Sequence, residues 1–449
     1  MPSAAAAADS GAGSSASAAA EAATMHPLDV GAIVRSLRAP SGSTAEFSTV
    51  EVIERRETKN GTWQYYVHHA GFDRRLDEWV DEAQLEAQPE PAPEVRPPAM
   101  RGAHGHLPHA RGAPNPGAER RATRNMKRKA DEINHVHGET YDAALEKEHE
   151  ESTKVKNIKV IEMGRFEVDA WYFSPYPDAF AEQERLYICP YSLKYFKKRA
   201  AYVRHLADPR LVRHPPGACV YRMPAPPLSA ACRQAELPQP KHLTLYEIDG
   251  STAKVYCQCL CLVAKLFLDH KTLYFDVDPF LFYALCEEGE DGSSTLAGYF
   301  SKEKASAENN NIACILVLPQ HQRKGYGKLL IDLAYHITIR EGKLGSPEKP
   351  LSDLGQLSFR SYWTEVLLEA LRSHKGNLSI RDIATRTAIQ TEDIIATLQS
   401  LNLVRFWKGQ HVIAVNPKIV DEHLKTNARA SLRCDPALLT WQPPPPEAQ

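Results

Sequence analysis

The sequence predicts an α/β protein, with a mixed-sheet core, a helical winged-helix-like C-terminal part and a small N-terminal β-barrel. Three observations carry this. An apolar β-branched run at 312–318 ends at Pro319 and passes through a basic, glycine-containing turn, residues 322–328. A helical pattern follows at once, with Leu329, Leu330, Leu333 and Ile337 on one face. Residues 50–80 read as short strands dense in aromatic side chains, and residues 378–415 carry helical stripes followed by a terminal strand pair.

Each element has its own justification. Residues 1–24 are low-complexity Ala, Ser and Gly, a composition that cannot build a core and is expected to stay disordered. In residues 25–88, Val50, Val52 and Ile53 mark a strand and Lys59-Asn60-Gly61 a hairpin turn. Residues 63–68 return, and residues 76–80 close the unit. Residues 89–150 are rich in Pro, Gly, Ala and His, then basic, with Arg120, Arg121, Arg124, Lys127, Arg128 and Lys129 clustered in a linker. Such a cluster suits nuclear import or contact with a DNA backbone. Towards the C-terminus, Ile380, Ile383 and Ala384, then Ile394, Ile395, Leu398 and Leu401, set two helical stripes. Glu392 and Asp393 open the second helix with acids, so this part reads as scaffold rather than as a reader of DNA. Residues 426–449 read as a Pro-rich tail.

Composition sets the class. With 24% charged and 43% hydrophobic residues the chain is ordinary for a globular protein, and its net charge of −2 says little because the charge is unevenly placed. No apolar run reaches the roughly 20 residues that span a bilayer, and no membrane role is expected. The Ala/Ser-rich start resembles neither a signal peptide nor a transit peptide. Nine scattered cysteines, an odd number, point to reduced thiols of the cytosol or nucleus.

The turn at 322–328 is the most informative feature. Glycines let a backbone approach closely, and a helix N-terminus offers free N–H groups with partial positive charge, the requirements for holding a phosphate. A tight connection with no ligand would look the same. It is not a P-loop, because no Gly-Lys-Ser/Thr follows four spacer residues, and Gly325-Tyr326-Gly327 lacks the third glycine of a dinucleotide fingerprint. It does resemble the turn with which acetyltransferases hold the pyrophosphate of coenzyme A. Together with Cys314 and with residues 346–355, SPEKPLSDLG, it resembles the catalytic domain of the MYST family of lysine acetyltransferases. Residues 168–177, 266–283 and 298–304 resemble further segments of that family, and the match runs over roughly 154–416. Residues 66–80 resemble the chromo-barrel (Tudor-knot) domain of several MYST enzymes.

The resemblance implies an acetyl-CoA N-acyltransferase-like core at 242–362, within an acetyltransferase domain at 151–425 whose winged-helix-like part is 363–420. It implies a histone lysine acetyltransferase of the nucleus that acts on nucleosomes within a larger chromatin complex. The alternative is an inactive chromatin-binding scaffold. Glu348 would be the general base, because lysine, with a pKa near 10.4, is almost wholly protonated at pH 7. Cys314 would lie beside the thioester as a wall residue or acyl acceptor, and Lys271 matches the lysine that the family acetylates on itself. Ile315, Leu316 and Val317 would pair with the pantetheine arm of acetyl-CoA. Gln322, Arg323, Lys324, Gly325, Tyr326, Gly327 and Lys328 would hold its pyrophosphate, with Ser352 and Ser361 as further contacts. On the barrel, Tyr65, Tyr66, Phe72 and Trp79 are the candidates for a methyl-lysine cage, held by cation–π attraction.

The family also carries a Cys-x2-Cys-x12-His-x3-Cys zinc finger, which falls here at 186–222. Cys189 and His205 stand at two ligand positions, but Ser192 and Pro209 occupy the others. A structural zinc takes four N or S ligands. The expectation is therefore a degenerate module that holds no zinc.

Overall fold

A computed structural model describes residues 28–37, 47–58, 60–86, 153–181, 183–227, 239–269, 271, 273–374, 378–407, 410–413, 420–421 and 432–443. The basic cluster at 120–129, the N-terminal tail and Lys59 of the expected hairpin turn lie outside these residues. The chain divides into two compact units, Met1–Pro98 and Ala99–Gln449.

The first unit is one antiparallel sheet of β1 (Ile33–Ser36), β2 (Ser48–Glu57), β3 (Trp63–His69), β4 (Glu78–Asp81) and β5 (Leu85–Glu86), in the order β4-β3-β2-β1-β5. Alternate residues Val50, Val52, Tyr65, Val67 and Val80 point inward with Val34 and form its core. This geometry corrects the expected aromatic cage. Tyr65 and Tyr66 are neighbours on β3, so their rings point to opposite faces, and Tyr65 is wholly enclosed in the core. Tyr66 is also buried, against Trp79 at 5.5 Å, while Phe72 is exposed and lies edge-on to His69. The four rings do not line one open cage.

The second unit begins with a small sheet, ordered β7-β6-β8-β9, of β6 (Val160–Met163), β7 (Phe166–Asp169), β8 (Arg185–Ile188) and β9 (Tyr195–Phe196). Two short helices accompany it, α1 (Asp178–Ala181) and α2 (Arg199–Leu206). The central sheet runs β10 (Ala218–Pro224), β11 (His242–Asp249), β12 (Phe280–Glu288), β13 (Ser294–Glu303) and β15 (Cys314–Val317), antiparallel throughout, with β15 at the edge. Between β13 and β15 lies β14 (Asn310–Ile312), which pairs in parallel with β16 (Ser346–Pro347). The helices are α3 (Lys254–Lys265), α4 (Tyr326–Arg340), α5 (Asp353–Ser373), α6 (Ile380–Thr387) and α7 (Thr391–Ser400), before the hairpin β17 (Val404–Trp407) and β18 (Gln410–Ile413).

Strand alternation buries both faces of the central sheet. On β12, Phe282, Ala284 and Cys286 pack with α3 and the small sheet, whereas Tyr283 and Leu285 pack with α4 to α7. On β15, Cys314 and Leu316 face the α3 side and Ile315 and Val317 the α4 side. The long α5 is anchored by Phe359, Tyr362, Trp363 and Leu367, with the Trp363 indole N–H donating to the Tyr335 hydroxyl at 2.9 Å. Ser379 and Asp382 cap α6 reciprocally.

Residues 432–443 differ from the tail expected at 426–449. They pack on the core: the Thr440 N–H donates to the Val220 carbonyl at 2.8 Å, the Cys434 N–H donates to Asp332 at 2.7 Å, and Trp441 bonds Glu247. Leu439 and Trp441 are buried.

Gly298 sets how closely β15 can approach β13. A Cβ there would stand 2.6 Å from the Leu316 carbonyl oxygen. Gly298→Val should push β15 off the sheet and destabilise the unit by about 2 kcal/mol or more, the scale of core overpacking. Urea unfolding of the two proteins checks this, and equal midpoints would show that β15 has room to spare.

Candidate active site

Three chain segments meet in one pocket beside β15. Cys314 opens the strand, and the preceding Ala313 N–H donates to the Ser301 carbonyl at 2.7 Å, locking it to β13. One residue earlier, the Ile312 carbonyl accepts from the Glu348 N–H at 2.8 Å, as an extension of the β14–β16 pair. That bond brings Glu348 towards Cys314, from which it stands 34 positions away in sequence (348 − 314). Lys271 enters from the loop between α3 and β12, and its Nζ stands 3.8 Å from the Cys314 Sγ. Cys261, Asp276, Val277, Phe280 and Phe282 complete much of the wall.

The pocket is largely screened from water. Lys271 is 7% exposed, and the Glu348 Oε2 atom is shielded from solvent. Burial works against the Lys271 ammonium, but Cys261, Cys314 and Tyr299 around it outweigh that and hold its pKa well above the ordinary lysine range. Glu348 and Asp276 are the carboxylates that line the pocket.

Among the described residues β15 pairs with β13 on one side only, so Ile315, Leu316 and Val317 form the edge of the sheet. A 3-10 turn, Pro319–His321, leads to the glycine segment, where the Gln322 side-chain amide donates to the Val317 carbonyl at 3.0 Å. Gln322 thus fastens the turn to the strand. Arg323 has φ +63° and Gly325 φ +88°, and this reversal aims the first N–H groups of α4 outward. Gly325 and Gly327 add no side chains of their own to this turn, and the Leu432 Cβ stands 3.4 Å from where a Cβ of Gly325 would lie.

The expected phosphate-binding side chains differ in their engagement. Lys324 Nζ donates to Glu287 Oε1 at 2.7 Å, and the Tyr326 hydroxyl donates to the same oxygen at 2.7 Å. Lys328 Nζ pairs with Glu365 at 3.0 Å. Arg323 is exposed and has no ion-pair partner among the described residues. Ser352 is the N-cap of α5, accepting from the Gly355 N–H at 3.2 Å, and Ser361 is exposed one turn before Glu365.

Glu287 escaped the sequence reading. It also meets His321 at 3.2 Å, so one carboxylate organises three residues of the turn. Burial pushes its carboxyl up, but hydrogen bonds and charge from His321, Lys324 and Tyr326 outweigh that and hold it at about 2. A lone acid near a strand end, about 35 positions before its partners, gives no local signal.

Comparison with known proteins adds three family matches. Residues 214–439 match the MOZ/SAS family, residues 155–208 the MYST family zinc finger domain, and residues 30–87 the "RNA binding activity-knot of a chromodomain". The chain is 46% identical over 423 residues to "Histone acetyltransferase of the MYST family 2" of Arabidopsis thaliana, covering 93% of this chain and 86% of that protein. It is 41% identical over 437 residues to "Histone acetyltransferase MOF" of Drosophila melanogaster, covering 88% of this chain and 50% of that protein. It is 45% identical over 294 residues to "Histone acetyltransferase ESA1" of Saccharomyces cerevisiae, covering 66% of this chain and 62% of that protein.

The zinc finger match corrects the expectation that no zinc is held, since it points to zinc binding by this module. That expectation counted four ligand letters, whereas the match spans the whole module, residues 155–208. In the structure Cys189 and His205 meet around Ser192, whose Oγ lies 3.3 Å from His205 Nε2 and whose N–H donates to Cys189 Sγ at 3.4 Å. Burial, with Lys194 nearby, lowers the His205 pKa and favours the neutral imidazole that a metal requires. Cys189 and His205 are the two metal donors this module brings together, and no group of three or more such side chains occurs among the described residues. Ser192 offers only a hydroxyl and Pro209 no side-chain donor.

Glu287→Gln should lower stability at pH 7 by about 3 kcal/mol, the scale for breaking a buried ionic cluster from one side. Because the folded pKa of about 2 lies below the ordinary 4.5, the wild-type advantage is fully present above 4.5 and is lost as pH falls towards 2. Urea unfolding between pH 7 and pH 3 reads the gap. A gap that stayed constant down to pH 3 would show that charge on Glu287 contributes nothing.

Proposed function

The chain belongs to the MYST family of histone acetyltransferases, and from that premise we propose that Glu348, Cys314 and Lys271 form its acetyl-transfer centre. The protein is a histone acetyltransferase that moves acetyl from acetyl-CoA to lysine side chains. Nothing favours the inactive-scaffold alternative. The observation that carries the site reading is the single pocket shared by Cys314, Lys271 and Glu348, placed beside the edge strand β15.

In this reading the pantetheine arm lies along Ile315, Leu316 and Val317 as an added strand. The pyrophosphate sits on the N–H groups that open α4, with Arg323 adding charge. Ser352 and Ser361 flank the same ligand from α5. The thioester carbon then lies beside Cys314. Glu348 takes the proton from the substrate ammonium, the freed amine attacks the thioester carbon, a C–N bond forms and the C–S bond breaks. The thiolate of coenzyme A leaves and collects a proton. This transfer is direct, with Cys314 as a wall of the acetyl site. Lys271, next to Cys314, is the residue placed to accept acetyl from the enzyme's own cofactor, and acetylation would remove its buried charge.

The domain plan follows the same lines. A chromo-barrel at 25–88, a linker at 89–150 and an acetyltransferase domain at 151–425 give a reader, a tether and a catalyst. Chromatin as substrate implies a nuclear site of action and membership of a larger chromatin complex. The linker cations at 120–129 are assigned to the DNA backbone, on sequence alone.

Three measurements test this reading. Glu348→Gln should lower turnover on a histone-tail peptide by on the order of 10²–10⁴, with the loss shrinking as pH rises and lysine deprotonates unaided. Full activity at pH 7 would remove Glu348 from the role of base. Cys314→Ala should retain measurable turnover, whereas a kinetically competent acetyl adduct on Cys314 would establish the two-step route instead. Neutralising the six linker cations should weaken nucleosome binding and flatten its salt dependence while sparing peptide acetylation. Equal losses on both substrates would overturn the tether.

A further inference from the structure

Lys328, in the first turn of α4, faces an acidic group that would cancel its charge. Asp332 lies one turn further along α4, and Glu365 and Glu369 lie one turn apart on α5. Lys328 pairs with Glu365 at 3.0 Å. The balancing cation comes from far along the chain. Arg433, in the C-terminal segment, reaches Asp332 at 3.3 Å, Glu365 at 3.2 Å and Glu369 at 3.2 Å. Its guanidinium also lies 5.5 Å over the Tyr362 ring. The next residue, Cys434, donates its N–H to Asp332 at 2.7 Å. The preceding Leu432 packs against the pyrophosphate turn, its Cβ 3.4 Å from where a Cβ of Gly325 would stand.

We propose that Arg433 is a positioning residue for acetyl-CoA, neutralising Asp332, Glu365 and Glu369 so that Lys328 and the N-terminus of α4 remain electropositive towards the pyrophosphate. The charge arithmetic is direct. Lys328 and, at 3.8 Å from Asp332, His336 also face this group of three carboxylates, and loss of Arg433 leaves the group one charge more negative. The added negative charge would then hold Lys328 to Glu365 more tightly, against the pull of the pyrophosphate, across a partly buried contact that salt screens weakly. The inference rests on the reading of residues 322–328 as the pyrophosphate site.

The experiment compares acetyl-CoA with S-acetyl-pantetheine, which has the same thioester and no pyrophosphate, in the full chain. Arg433→Gln should raise KM for acetyl-CoA roughly five- to tenfold, about one charge–charge contact of 1 to 1.4 kcal/mol. Its kcat and its KM for S-acetyl-pantetheine should stay near wild type. Arg433→Lys should recover part of the loss. The double variant Arg433→Gln with Glu365→Gln should recover most of it, because the surplus carboxylate is gone. If Arg433 only anchors the C-terminal segment, the single variant lowers kcat with both donors and removing Glu365 adds to the damage; that result overturns the proposal. Arg323→Gln separates the underlying reading. If wild type uses both donors equally and Arg323→Gln changes neither KM, the turn does not hold the pyrophosphate. If Arg323→Gln raises the acetyl-CoA KM and Arg433→Gln does not, the turn stands and the role of Arg433 falls.

Discussion

The backbone hydrogen bond from the Glu348 N–H to the Ile312 carbonyl, 2.8 Å long, is the contact on which the site depends. It ties β16 to the strand pair that carries Cys314, and everything between, including the glycine turn and α4, is a single loop thrown out from that tie. Closing a loop of this length costs chain entropy that one bond does not recover. The apolar face of α4 supplies the rest, since Leu329, Leu330, Leu333 and Ile337 are all buried against the sheet. Burial of α4 therefore holds Glu348 and Cys314 together, and it also aims the helix N-terminus past the edge of β15. The proposed base, acetyl site and anion site share one mechanical origin.

The second constraint is electrostatic. The proposed anion-binding end of α4 sits among acids, and each is met by a cation or a hydrogen-bond donor. Glu287 gathers His321, Lys324 and Tyr326 on one side, and Glu365 joins Lys328 to Arg433 on the other. These pairs fix the turn at the cost of engaging Lys324 and Lys328, so the N–H groups of α4 and Arg323 carry more of the expected phosphate contact than the number of basic residues suggests. Positive charge near a phosphate site is useful only where it is not already spent.

How much of this was legible in the sequence follows from the range of each interaction. The strand–turn–helix at 312–337 was readable because periodicity and glycine placement are local, and Gly325 does adopt the left-handed conformation that only a glycine takes cheaply. The family resemblance supplied Glu348, Cys314 and Lys271, which no local pattern would have joined. Glu287, Glu365 and Arg433 were missed because their partners stand tens to a hundred positions away. The docking of 432–443 was hidden by a Pro-rich surrounding that reads as loose chain. Two readings failed for reasons of geometry and of scope. Tyr65 and Tyr66 were grouped in one cage although neighbours on a strand face opposite ways. The zinc reading weighed four letters where the whole module, residues 155–208, matches a zinc finger.

The most direct measurement of the central claim is an electron-density map of the protein bound to a bisubstrate compound in which a lysine side chain is joined to coenzyme A. The account requires the pantetheine arm to pair with the outer edge of β15, the pyrophosphate to rest on the first N–H groups of α4, and the lysine nitrogen to lie within hydrogen-bonding reach of Glu348 beside Cys314. Density that placed the lysine nitrogen away from Glu348, or the pyrophosphate away from residues 322–328, would contradict it.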